Sequence, residues 1–166
     1  APTEFELASD KYDQAMSESH GRIFTLTRDT NRDSRIDFKD IEWDYLESDG
    51  DFRSDEIRIL RDEADIIITN PPFSLFRQFL TWIKQGNKSF LLLGNMNAIT
   101  YKEVFPLLKD NKSWLGATRF GVGFMWFEVP LSAPKKQGQK MEAGKLYQTI
   151  GNSTWFTNLD HGRRHQ

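Results

Sequence analysis

The 166-residue sequence has no cysteine, which excludes disulfides and thiolate metal sites and suits a reducing cytoplasm. It also has no long hydrophobic run. Nothing resembles a signal peptide, and no stretch approaches the roughly 20 apolar residues that a membrane span requires. The expectation is a soluble, cytoplasmic protein with no membrane partner. An overall basic charge is absent as well, the formal net charge being −2, so bulk charge does not point to a nucleic acid. What is present is apolar matter enough for a core, with 38% hydrophobic residues and 13 phenylalanines in a length typical of one domain. The chain opens on Ala1 and stops at Gln166 without a closing element, and is read as a fragment of a longer protein.

The small net charge hides a division. Residues 1–66 hold 19 Asp and Glu against 9 Lys and Arg, whereas residues 67–166 hold 5 against 13. The second part therefore has the charge for a basic face toward phosphates, although a solvated surface of uneven charge accounts for it equally well.

The stretch from Asp65 to Phe76 organises the chain. Ile66, Ile67, Ile68 and Thr69 form a β-branched run of the kind found in strands buried on both faces of a helix-covered parallel sheet. Pro71 and Pro72 cannot continue a hydrogen-bond ladder, so the backbone must turn at the strand's carboxyl end. Ser74 is expected to cap a helix whose stripe is Leu75, Phe76, Phe79, Leu80 and Ile83. In open α/β sheets ligands bind beyond the carboxyl ends of strands, which is where Asn70 to Phe73 fall. The Asn70 amide and Pro71 carbonyl offer acceptors to a planar amino group, and Phe73 offers a face for its ring. A strand, a turn and a helix cap without chemistry is the plainer alternative.

Asn70-Pro71-Pro72-Phe73 in this setting resembles the catalytic motif of amino methyltransferases that use S-adenosylmethionine, specifically adenine-specific DNA methyltransferases of the EcoRI type. Residues 50–54, 92–103, 114–116 and 155–160 resemble that family too, so the likeness runs from about Asp49 onward. It implies a Rossmann-like class I methyltransferase sheet, α/β and mostly parallel, with antiparallel strands toward its C-terminal end. It implies methylation of adenine in double-stranded DNA, S-adenosylmethionine as cofactor, and a restriction endonuclease as a possible counterpart. Asn70, Pro71, Pro72 and Phe73 take the catalytic role. Asp51 and Phe52 take the cofactor role, the carboxylate accepting from the donor's adenine and the ring stacking on it; an Asp in a plain Gly-Asp turn is the alternative. The family also needs an early strand with a small-residue turn for the donor's methionine part, and no such turn precedes residue 50. Other readings are a methyltransferase acting on an RNA base or protein glutamine, and a noncatalytic DNA- or calcium-binding domain.

The remaining chain divides into an acidic segment, 1–48, and a partial catalytic core, 49–166. Residues 22–27 and 41–47 are expected to pair as a hairpin. Between them Asp29, Asn31, Asp33, Asp37 and Asp40 follow a calcium-loop spacing, with Ser34 where glycine is usual; an Asp-rich loop without metal is the alternative. Ser54 caps a helix to about Glu63, and residues 88–94 form a second buried strand after a helix stop at Gly86-Asn87. Thr100 and Glu103 form a capping box, residues 114–117 and 122–129 are strands, and Phe120 to Phe124 a hairpin. Residues 130–146, rich in Pro, Gly and Lys, are expected to be a loop, with Lys135, Lys136, Lys140 and Lys145 as candidate DNA phosphate contacts. Residues 147–159 read as a final strand.

Overall fold

The computed structural model describes residues 2–118, 126–149 and 151–165, and the chain divides into two units, Ala1–Glu63 and Ala64–Gln166. The expected hairpin at Phe120 to Phe124, and the first part of the strand at 122–129, lie outside the described residues.

The first unit begins with helix α1 (Glu4–Leu7), started by a reciprocal box in which Thr3 and Glu6 bond each other's backbone amides. Helix α2 (Gln14–Ser19) is capped by Asp13, which accepts from the Met16 amide at 2.9 Å. Neither helix follows from a segment with so little periodicity; capping side chains start them where an apolar stripe does not. Strands β1 (Arg22–Thr25) and β2 (Glu42–Tyr45) form the expected antiparallel hairpin, with Phe24 opposite Trp43. Trp43 and Leu46 are its buried apolar residues. Helix α3 (Asp55–Glu63) starts at Ser54, whose hydroxyl accepts from the Ile57 amide.

In the second unit, strand β3 (Ile66–Thr69) leads through a 3-10 turn at Phe73–Leu75 into helix α4 (Phe76–Gln85). Strand β4 (Ser89–Asn95) follows, then helix α5 (Phe105–Lys109) and strand β5 (Trp114–Leu115). Strands β6 (Trp126–Val129), β7 (Gln139–Glu142), β8 (Lys145–Thr149) and β9 (Ser153–Thr157) complete it. The strand order is β3-β4-β9-β5 in one sheet and β6-β8-β7 in the other. The core lies where Phe76, Leu80 and Ile83 of α4 meet Phe90 and Leu92 of β4 and Phe156 of β9, with Val104 and Leu107 closing it.

The architecture is mixed α/β, but its pairing is mostly antiparallel, which corrects the expectation of a mostly parallel sheet. Only β3 and β4 pair in parallel among the described strands. Within the sheet β3-β4-β9-β5 the cause is β9, which inserts reversed between β4 and β5; β5 therefore runs in the direction of β4 without bonding to it. The burial of β3 differs too. Ile66 and Ile68 are 47% and 66% exposed, because the helices cover only the face that carries Ile67.

Four local expectations are replaced. Ser74 does not cap α4: Leu75 donates to the Pro72 carbonyl at 2.8 Å, and the 3-10 turn occupies the place of a cap. Thr100 and Glu103 form no capping box, since the Thr100 hydroxyl donates to the Asn97 carbonyl at 2.8 Å and α5 starts later, with Pro106 in its first turn. Residues 139–149 are a hairpin rather than a loop, turned at Ala143 and Gly144 with φ of 49° and 77°. The final strand is likewise two, β8 and β9. No helix among the described residues is long and apolar enough to cross a membrane.

Candidate active site

Asn70 to Phe73 leave the carboxyl end of β3, on the sheet end where β4 runs on to Asn95. Thr69 pairs with Leu92, so β4 extends three residues further, to Asn95. Pro71 is buried and anchors the turn; Asn70 is exposed, and Phe73 is 44% exposed. Beneath them Phe76, 2% exposed, locks the start of α4 onto the sheet through Phe156, their ring centroids 5.2 Å apart. Among the described residues, neither the Asn70 side-chain amide nor the Pro71 carbonyl has a hydrogen-bond partner. Two acceptors and an aromatic face are thus held on a fixed turn with their bonding capacity unspent.

Asp51 and Phe52 fall in the first unit. Asp51 is engaged within its own turn: Oδ1 accepts from the Arg53 amide and Nε, both at 2.8 Å, and Oδ2 from Nη2 at 2.5 Å. These bonds hold its carboxyl down to about 2. The same guanidinium lies 5.6 Å from the Phe52 ring centroid. Sequence reasoning missed Arg53, although its spacing from Asp51 is visible there.

Nothing in the structure supports the calcium expectation. Asp29 accepts from the amides of Arg32, Asp33 and Ser34, Asn31 from Asp33, Asp33 from Arg35, and Asp37 from Lys39. Asp40, 1% exposed, accepts from the amides of Asp37, Thr30 and Asn31 and from the Thr30 hydroxyl. The oxygens close the loop on its own backbone, and no group of three or more acidic or histidine side chains among the described residues gathers to hold a metal ion.

The lysines separate into two kinds. Lys135 and Lys136 are exposed and their side chains have no partner among the described residues. Lys140 instead pairs with Glu142 at 2.6 Å and lies 4.7 Å from the Trp126 ring centroid, and Lys145 pairs with Glu128 at 2.9 Å. A cavity of about 270 Å³ lined by Leu91, Gly116, Trp155 and His161 lies elsewhere in the second unit, and no expected site residue lines it. Sequence reasoning also passed over Arg77, in the first turn of α4, whose guanidinium sits 5.4 Å from the Tyr101 ring centroid.

Comparison with known proteins adds to this geometry. The family model described as adenine-specific methyltransferase EcoRI matches residues 3–166. Type II methyltransferase M.EcoRI of Escherichia coli is 42% identical over 134 residues, covering 80% of this chain and 41% of that protein. Type II methyltransferase M.MpnI of Mycoplasma pneumoniae is 37% identical over 128 residues, covering 75% of this chain and 40% of that protein. The chain thus spans about two-fifths of the length of these relatives. No solved structure matches it.

Proposed function

Because the chain belongs to the EcoRI family of adenine-specific methyltransferases, we propose that it forms part of the catalytic domain of an enzyme that methylates the exocyclic amino group of adenine in double-stranded DNA. The observation that carries this reading is the unspent Asn70 amide and Pro71 carbonyl beside a half-exposed Phe73. The acidic residues 1–48 are then an appended segment and 49–166 the partial core. The sheet β3-β4-β9-β5 is read as part of a Rossmann-like methyltransferase sheet, a reading supported by the parallel β3–β4 unit and the reversed β9.

In this reading an adenine leaves the duplex, at a cost of roughly a few kcal/mol, and stacks on Phe73. Asn70 Oδ1 and the Pro71 carbonyl accept its two amino hydrogens. That draws the nitrogen toward tetrahedral geometry and turns its lone pair outward. S-adenosylmethionine, when bound, supplies an electrophilic methyl. The turn's contribution is orientation, and no base is needed until the nitrogen has become cationic. Of the donor's contacts, Asp51 and Phe52 suit its adenine end only. Lys135 and Lys136 supply phosphate contacts.

The test is transfer of a labelled methyl group to duplex DNA by the protein that contains this chain. Asn70→Ala should abolish transfer while leaving the melting temperature unchanged, since the side chain is exposed and unbonded. Full activity in that variant refutes the assignment.

A further inference from the structure

Cations in the helices of the second unit mostly sit where the helix dipole favours them: Lys84 lies in the last turn of α4 and Lys109 in the last turn of α5. Arg77 is the exception. It occupies the first turn of α4, where the dipole opposes a positive charge, and that turn contains no acidic residue to offset it. Nor does Arg77 form an ion pair with any described residue. Its guanidinium instead faces the ring of Tyr101, which ends the 3-10 turn that follows β4. Both residues therefore belong to the carboxyl-end rim of the β3–β4 pair, the end from which Asn70 to Phe73 emerge. Lys102, the next residue, is exposed and has no ion-pair partner among the described residues. A cation–π contact with an aromatic ring restrains a guanidinium without spending its N–H donors, the groups that recognise phosphate bidentately. By contrast, Lys140 and Lys145 spend their charge on Glu142 and Glu128.

We propose that Arg77, oriented by Tyr101, binds a backbone phosphate of the DNA strand presented to the Asn70 turn. The inference rests on the functional reading in which DNA is the substrate. Arg77 is a positioning residue here: it fixes where the strand lies, and with it where the target base arrives.

The experiment is a fluorescence-anisotropy titration of a fluorescein-labelled DNA duplex with the protein at a series of salt concentrations. Arg77→Ala should lower the slope of log K against log salt by about 0.9, the loss of one phosphate contact. Arg77→Lys and Tyr101→Phe should keep the wild-type slope, and Lys84→Ala, which removes a cation from the other end of the same helix, should keep it too. A slope unchanged in Arg77→Ala, or lowered equally in Lys84→Ala, overturns the proposal. In that case loss of methyl transfer in Asn70→Ala would leave the functional reading standing. A wild-type protein with no salt-dependent affinity for DNA would overturn both.

Discussion

Gly94 and Phe76 are in contact so close that a Cβ on residue 94 would lie 2.5 Å from Cε2 of the phenylalanine ring. Phe156 stands 3.1 Å from the same point, so neither ring can retreat without displacing the other. The contact sets how near α4 lies to β4, and with it the base on which the Asn70 turn stands. Gly94→Ala should destabilise the fold by about 1–3 kcal/mol, the usual result of overpacking a filled core. At Gly151 an added Cβ would meet nothing within 4 Å, and Gly151→Ala should fall within about 0.5 kcal/mol of wild type. Urea unfolding of the two variants checks the contrast; equal midpoints would mean that the α4–β4 packing is looser than these distances.

Much of this framework is legible in the residues. The run Ile66 to Thr69, the second run ending at Leu93, and the stripe Phe76, Leu80 and Ile83 each state their own element, because periodicity is a local property. What is not legible depends on neighbours. Ile66 and Ile68 read as doubly buried, yet their exposure follows from helices covering only the opposite face, which carries Ile67, and no local pattern encodes that. Thr100 and Glu103 have the capping-box spacing, but the Asn97 carbonyl claims the Thr100 hydroxyl. Residues 139–149 hide a hairpin because proline and lysine before it give the whole stretch a loop's composition.

The Asp51 carboxylate lies near 2 because the Arg53 side chain and amide both donate to it. Arg53→Gln removes the charge and one prong of the fork, so the Asp51 carboxyl should rise toward its ordinary value near 3.8. Carboxyl-carbon NMR across the acidic range reads this directly. If Asp51 serves the donor's adenine, the same change frees the acceptor, and calorimetric affinity for S-adenosylmethionine should increase, whereas Asp51→Ala should eliminate binding. Unchanged affinity in both variants would remove Asp51 from the donor site.

The candidate site is legible to a similar degree. Asn70 to Phe73 announce themselves because two prolines after a β-branched run leave few backbone options. Asp51 is placed by analogy of motif, and its partner two residues later alters its availability without altering the motif. The Asp-rich loop shows the limit from the other side: spacing suitable for a cation also suits a loop in which Asp29 and Asp40 accept from its own amides.

Asp40 ties the stability of the first unit to pH. Its carboxyl is held down to about 2, first by the Asp37 amide and then by Thr30 and Asn31, against an ordinary value of 3.8. A carboxyl whose folded value lies below its unfolded value binds protons more tightly when unfolded. Its stabilisation is therefore fully present above the unfolded value of 3.8, declines as pH falls below that, and is gone once pH passes below about 2. Asp40→Asn keeps the shape but carries no charge, so it should melt earlier than wild type at neutral pH. The two melting curves should converge as pH approaches about 2, where wild-type Asp40 is itself neutral. A gap that stays constant from neutral pH down to that point would show that Asp40 closes the loop through shape and neutral hydrogen bonding, with no contribution from its charge.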